Sequence, residues 1–227
     1  MSKLLETRLR LGMLPWALIG GIALAGPAHA ETDKGWKAGD VVLKLGAAGV
    51  LFNSSADIEI AGSPVPGGNV KVSNDVTPSG EISYFFSPAI SAAVNFGIPP
   101  KATVDGKGTL AAAGELGRVR YGLGAVTLRY HLNDQGTVSP FIGGGVGRLF
   151  SFSEDDGSVL DLEVDSAWGP VIQGGVDVHL TPKFGLYANV SYSPIETDAK
   201  GIVFGAPATA DVKLNPTIVQ GGVSYRF

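Results

Sequence analysis

The chain has 227 residues, with 17 basic and 21 acidic side chains, a net charge of −4 and no cysteine. That composition excludes a disulfide framework and thiolate chemistry, and the lack of a basic stripe excludes nucleic acid as a partner. Mean hydropathy is nevertheless positive, at +0.22.

The N-terminus opens on Lys3, Arg8 and Arg10 and continues with the uncharged apolar run Leu11 to Gly26. Ala28-His29-Ala30 then places small residues at the two positions that matter for cleavage, the layout of a secretory signal peptide. The rival is a retained anchor, but 16 residues containing Pro15 fall short of the roughly 20 that a span requires. The expected division is therefore a signal peptide over 1–30 and a mature domain over 31–227, exported to a compartment where stability does not depend on crosslinks.

No later stretch is long and apolar enough for a membrane helix. Hydrophobicity alternates with period two instead, the signature of strands. Val126, Leu128, Tyr130 and Leu132 share one face against Thr127, Arg129 and His131. Ile172, Val176, Val178 and Leu180 do the same against Gln173, Asp177 and His179. Eight strands are predicted, over 40–52, 75–87, 89–103, 119–132, 138–152, 166–181, 184–196 and 212–227. Tight-turn sequences at Ser87–Pro88, 133–136 and Thr181–Lys183 alternate with long polar stretches over 53–73, 104–118, 153–164 and 197–211.

That pattern predicts an all-β fold, an eight-stranded antiparallel transmembrane β-barrel with short periplasmic turns and long extracellular loops. A soluble barrel of lipocalin type is the rival. Its solvated exterior would be rich in Lys and Glu, whereas the polar face here is mostly Gly, Ser, Asn and Thr and suits a narrow lumen. Tyr84, Phe86, Tyr130, Phe184, Tyr225 and Phe227 gather near the short turns and the C-terminus, as a girdle at the membrane interface would.

Several stretches carry a resemblance. "GWKAGDVVLKLG", "SYFFSPAI", "VTLRYHL", "SPFIGGGVG", "DSAWGPVIQGGVDVHLT", "VSYSPIETDA" and the terminal "GGVSYRF" occur in an order similar to that of the OmpW family of small outer-membrane proteins. The chain departs from the family where a Pro-Pro pair commonly leads into the fourth strand, since it reads "GRVRYGLGAV" there. Thr217 also stands where an aromatic is frequent. The resemblance implies a barrel in the cell outer membrane that takes small hydrophobic solutes across, and sometimes a receptor for bacteriocins or phage.

Parity along the strands points Lys44, Glu81, Arg129, His131, Asp177, His179 and Arg226 inward, in the half nearer the periplasm. Eight strands leave an interior just wide enough for side chains to fill, and charges confined there must pair. Lys44, Glu81, Arg129, Asp177 and Arg226 are thus a lumen charge network, one that rules out an open porin channel. Pro78, Pro100, Pro170, Pro194 and Pro216 each lie 8 to 12 residues from the periplasmic strand ends, near the outer edge of the apolar band. Proline cannot donate to the ladder. These residues either end strands or loosen the wall for lateral exit of a solute into the membrane.

The apolar stretches 201–208 and 56–62 fit either a hydrophobic funnel or strands continuing above the membrane. The acidic run 153–165 lacks EF-hand spacing and reads as a solvated loop or a divalent-cation bridge to lipopolysaccharide. No catalytic residue is marked, because no G-x-S-x-G occurs and only His131 and His179 remain after cleavage. No cofactor fingerprint or metal-ligand cluster is present either. The expected partners are outer-membrane lipids and lipopolysaccharide, small hydrophobic solutes and the barrel-assembly machinery. Val223, Tyr225 and Phe227, on an alternating terminal strand, resemble that machinery's recognition signal.

Overall fold

A computed structural model describes residues 35–133 and 136–227; the expected signal peptide, 1–30, lies outside them. The strands are β1 (Val41–Leu51), β2 (Ser55–Ile60), β3 (Ser63–Pro64), β4 (Gly68–Val72), β5 (Asp75–Ser87), β6 (Ile90–Gly97), β7 (Lys101–Gly108), β8 (Glu115–His131), β9 (Val138–Asp156), β10 (Leu160–Val164), β11 (Ala167–His179), β12 (Phe184–Tyr192), β13 (Glu196–Val203), β14 (Ala206–Lys213) and β15 (Thr217–Arg226). Eight of them, β1, β5, β6, β8, β9, β11, β12 and β15, pair antiparallel in chain order, and β15 pairs back to β1. The sheet is thereby closed.

Register fixes which face each residue takes, because a slip of one residue would exchange the faces. Lys44 lies opposite Glu81 on β5 and Ser224 on β15, and all three are buried. Leu45, Ile82, Val94, Val126, Val146 and Ile172 are exposed on the outside. An exposed apolar belt around a polar, buried interior is the inverse of a soluble barrel and is the arrangement lipid requires. At its lower rim Tyr84 meets Phe86, and Tyr225 meets both Phe184 and Phe227, with ring centroids 4.9–5.2 Å apart. The Phe227 N–H donates to the Val41 carbonyl at 3.0 Å, so the last residue closes against the first barrel strand.

The stretches expected as long loops are largely sheet, which corrects the sequence reading. Strands β10, β13, β14, β2 and β3 form a second sheet in that order, and β4 and β7 extend the first sheet beside β8. These segments read as loops because their outward residues are charged and lower the mean hydropathy, while Ile58, Ile60, Val70 and Val72 still recur every second residue. The expected strands over 89–103 and 184–196 are also interrupted, at 98–100 and 193–195. Pro99, Pro100 and Pro194 cannot donate to the ladder there.

At the β1–β15 seam Gly46 faces Gly222. A Cβ on Gly46 would overlap the Gly221 carbonyl, and one on Gly222 the Leu45 carbonyl. Glycine at this pair lets the wall bend sharply as the barrel closes.

Candidate functional site: a plugged lumen beneath an apolar funnel

Four strands each contribute one charge to a layer inside the barrel. Lys44 (β1), Glu81 (β5), Arg129 (β8) and Asp177 (β11) are all at most 2% exposed. The Lys44 ammonium lies 3.3 Å from Glu81 Oε1 and 2.6 Å from Asp177 Oδ1, and the Arg129 guanidinium grips both oxygens of Glu81. Two cations and two anions leave the layer neutral, as burial demands. Ser83 donates to Glu81 Oε1 at 2.7 Å. Arg129 Nη2 also donates to Gln173 Oε1 at 3.2 Å, and Gln173 Nε2 donates to Thr127 at 2.6 Å. Phe141 lies under both cations, 5.3 Å from Lys44 Nζ and 4.6 Å from the Arg129 guanidinium. Gly143 provides the room, since a Cβ there would come within 3.0 Å of Arg129 Cγ.

A second layer sits on the periplasmic side. Trp36, just before β1, enters the barrel, stacks on Phe85 at 4.3 Å and meets His179 edge-on at 4.3 Å. Its indole N–H donates to Ser139 Oγ at 3.2 Å. His131 lies between Ser139, 3.3 Å from Nδ1, and Ser91, 3.0 Å from Nε2. Hydroxyl groups thus flank both ring nitrogens. Arg226 does not join the charge layer. It lies one inward position nearer the periplasm than Lys44, donates to the Gly35 carbonyl at 2.6 Å and pairs with Asp40 at 3.4 Å. It therefore ties down the segment that carries Trp36.

Above the charge layer the lumen changes character. Val70, Val72, Ala102, Val119, Leu149 and Val212 are among the walls of an apolar cavity of about 130 Å³ between the two outer sheets. From the stretches read as candidate funnel, Ile58, Ile60, Val203 and Ala208 also line it. At its base Tyr121 packs edge-on against Phe52 at 5.3 Å and donates to Asp75 at 3.1 Å. A smaller cavity of about 50 Å³ lies lower, lined by Leu123, Val171, Ser193, Ile195 and Ile218 among others.

That lower cavity abuts a break in the wall. Strand β11 pairs with β12 up to Ile172–Tyr192, and backbone bonding resumes only where the Asp165 N–H donates to the Asp198 carbonyl at 2.9 Å, next to the Val164–Ala199 pair of β10 and β13. In between, side-chain hydroxyls replace much of the ladder: Ser193 Oγ donates to the Pro170 carbonyl at 2.7 Å and Thr197 Oγ1 to the Asp165 carbonyl at 2.6 Å. Pro170 and Pro194 border this gap. Pro100 borders a shorter one, between Asn95–Ala125 and Lys101–Arg120, and Pro216 stands where β14 passes into β15. Pro78 is different, because it sits within a continuous β1–β5 ladder opposite Ala47.

The acidic run 153–165 is part of β9 and β10. Lys101 pairs with Asp155, and Lys200 with Glu163 at 3.1 Å; among the described residues no group of three acidic or histidine side chains is placed to hold a metal ion. On the outer sheet Asp57, Asp211 and Asp198 stand in direct register across β2, β14 and β13. The hydrogen bond shared with Asp211, then burial, then the charges of Asp211 and Asp165 raise the Asp198 carboxyl above its ordinary value. A carboxyl raised by folding contributes stability that is complete below the usual carboxylate range and is lost as pH rises through the raised value. Amide protection factors in β13 and β14 are therefore expected to be higher at pH 4 than at pH 7, and Asp211→Asn is expected to remove most of that difference.

A closed antiparallel sheet with an outward apolar belt and a plugged polar interior defines a transmembrane barrel of the outer-membrane class. The OmpW family model matches residues 37–227, and the chain belongs to the OmpW family. It is 28% identical over 206 residues to outer membrane protein AlkL of Ectopseudomonas oleovorans, covering 90% of both chains. It is 29% identical over 204 residues to the dibenzothiophene metabolism operon protein PahQ of Pseudomonas aeruginosa, covering 90% of this chain and 93% of that one. The solid-state NMR structure of AlkL in lipid bilayers superposes with a TM-score of 0.70 at 28% identity, over 90% of this chain and 96% of that one. The crystal structure of OprG from Pseudomonas aeruginosa has the same fold, with a TM-score of 0.81 at 24% identity, over 86% of this chain and 98% of that one. The protein is an outer-membrane barrel.

Sequence parity identified the four charges but missed the aromatic residues that complete the plug. Phe85 and Phe141 fall on inward positions of their strands, so the same parity could have found them. Trp36 precedes the first strand, where no periodicity applies.

Proposed function

We propose that this barrel is a passive, non-enzymatic route for small apolar molecules, which enter the funnel from outside and leave sideways through the gap between β11 and the β12–β13 strand. The observation that carries this reading is the order of the layers. An apolar cavity lies above a neutral, ion-paired charge layer that an uncharged solute gains nothing by entering, and the wall is least bonded at the level between them. The name of PahQ, which places that relative in dibenzothiophene metabolism, favours fused aromatic compounds as the substrate class. In the same reading residues 1–30 are the signal for export. Val223, Tyr225 and Phe227 form the signal for assembly.

The test is flux. Liposomes carrying the protein are expected to take up an aromatic hydrocarbon faster than empty liposomes, with no gain for a sugar. Replacing Pro170 and Pro194 together by valine allows further ladder bonds across the gap and is expected to slow hydrocarbon uptake several-fold in a fully folded barrel. Equal flux with and without protein would instead favour a surface barrel with a structural or receptor role.

A further inference from the structure

The hairpin between β13 and β14 turns on a residue that its backbone disfavours. Val203 pairs with Ala206, so Phe204 and Gly205 make up the whole turn, with φ of +51° and +77°. Two positive φ values in succession define the mirror-image turn that Asn-Gly or Asp-Gly normally fills. Glycine meets that demand at the second position. A bulky side chain at the first is an outlier, because its Cβ crowds the backbone in the left-handed region. The neighbouring β2–β3 turn shows that this geometry needs no ring. There Ala61 and Gly62 take φ of +51° and +70° between the paired Ile60 and Ser63. The Ala61 N–H donates to the Pro207 carbonyl at 2.8 Å, so the two tips stand side by side.

Polarity makes Phe204 equally out of place. It is 88% exposed, more than any other large apolar side chain among the described residues, and its height shows that lipid does not cover it. The chain runs ~20 residues from Phe184 of the lower girdle to Phe204; at ~3.3 Å per residue and a tilt of ~40° that is roughly 50 Å, about twice the height of the apolar band. Water thus meets an aromatic ring held in a strained turn, and neither stability nor membrane insertion accounts for it. What the ring does border is the funnel. Among the described residues, the aromatic side chains around the apolar cavity are Phe52, Tyr121 and Phe204. The first two pack on each other at the base, Phe204 stands at the rim, and the wall between them is mainly aliphatic.

Backbone strain of this kind persists where function uses it, and the use that fits a funnel mouth is capture. An exposed ring there gives an incoming apolar solute a first surface to bury against. It also discriminates. An aromatic solute stacks offset or edge-to-face on the ring, whereas a saturated solute of the same size gains only the buried area. We propose that Phe204 is the capture residue of the funnel and gives aromatic solutes precedence over saturated ones at its entrance. The inference rests on the funnel being the way in, and it goes further by assigning the choice between solutes to one side chain at the rim.

Two measurements separate the capture residue from the route it serves. The first uses the protein in lipid nanodiscs with isotope-labelled phenylalanine rings, the Phe204 signal being identified by its loss in Phe204→Leu. Naphthalene is expected to shift that signal through its ring current, and decalin, its saturated counterpart, is expected not to. This reads contact without transport, so it decides the proposal even where flux fails. The second is uptake into liposomes at low solute concentration. Phe204→Leu is expected to lower naphthalene uptake about threefold, the loss of one ring–ring contact, and to leave decalin uptake unchanged. Phe204→Tyr keeps the ring and is expected to keep the preference. An unshifted Phe204 signal, an unchanged ratio of naphthalene to decalin uptake in folded Phe204→Leu, or loss of that ratio in Phe204→Tyr would each overturn the proposal. A shifted Phe204 signal without protein-dependent uptake of either solute would support the capture residue and remove the route.

Discussion

Replacing Glu81 by alanine is expected to cost the folded barrel about 3–5 kcal/mol, the loss typical when one member of a buried ion pair is removed. Glu81 serves two cations at once, Lys44 at 3.3 Å and Arg129 through both oxygens. Its removal leaves the Arg129 guanidinium without a carboxylate in a space closed to water. The double variant Glu81→Leu with Arg129→Met keeps the Lys44–Asp177 pair and is expected to recover most of the loss, because well-packed apolar residues replace a buried pair at little net cost. Urea titrations of refolding into lipid vesicles measure both variants, and the difference from additivity gives the coupling. The same experiment bears on the plug. Deleting the carboxylate opens space beside an unpaired cation, so Glu81→Ala is expected to conduct small anions across a planar bilayer where the unaltered protein does not.

Filling the funnel is expected to have the largest effect on uptake. Ala102 on β7 and Ala208 on β14 face the apolar cavity from opposite sheets and are 2% and 9% exposed. Phenylalanine at both positions would occupy most of a space of about 130 Å³ while adding only apolar surface. The barrel below is untouched, so the variant is expected to insert normally and to admit an aromatic hydrocarbon at least tenfold more slowly. Initial rates in liposomes measure this, with heat-modifiable migration on a gel confirming the fold. Unchanged rates in the folded variant would place the entrance elsewhere on the molecule. A slow Ala102→Phe/Ala208→Phe variant together with an unaffected Pro170→Val/Pro194→Val variant would keep the funnel as entrance and remove the gap as exit.

The two features at stake were legible to different degrees. Lys44, Glu81, Arg129 and Asp177 could be assigned inward from alternation alone, since each lies on a strand whose other face is apolar. Arg226 obeys the same parity yet belongs to a different cluster, because the side chain nearest the periplasmic mouth meets Gly35 and Asp40 of the entering segment before it can reach the charge layer. The prolines show a similar split. All five were visible as residues unable to donate to a ladder, but Pro78 sits harmlessly inside continuous pairing while Pro170 and Pro194 border the widest break. Proline removes one donor; whether that opens a wall depends on what the neighbouring strand does at the same height.

The sequence by itself determined that the chain is an eight-stranded barrel, which face of each strand meets lipid, and which end carries the aromatic girdle. These properties are local: a period of two and a turn sequence can be read within a dozen residues. Only the tertiary structure decided that the polar outer stretches are a second sheet, that Trp36 completes the plug, and that the wall loosens between β11 and the β12–β13 strand. Those properties depend on register between segments far apart in the chain, such as Trp36 with Ser139 or Asp57 with Asp211, and pairing at that distance leaves no periodic trace.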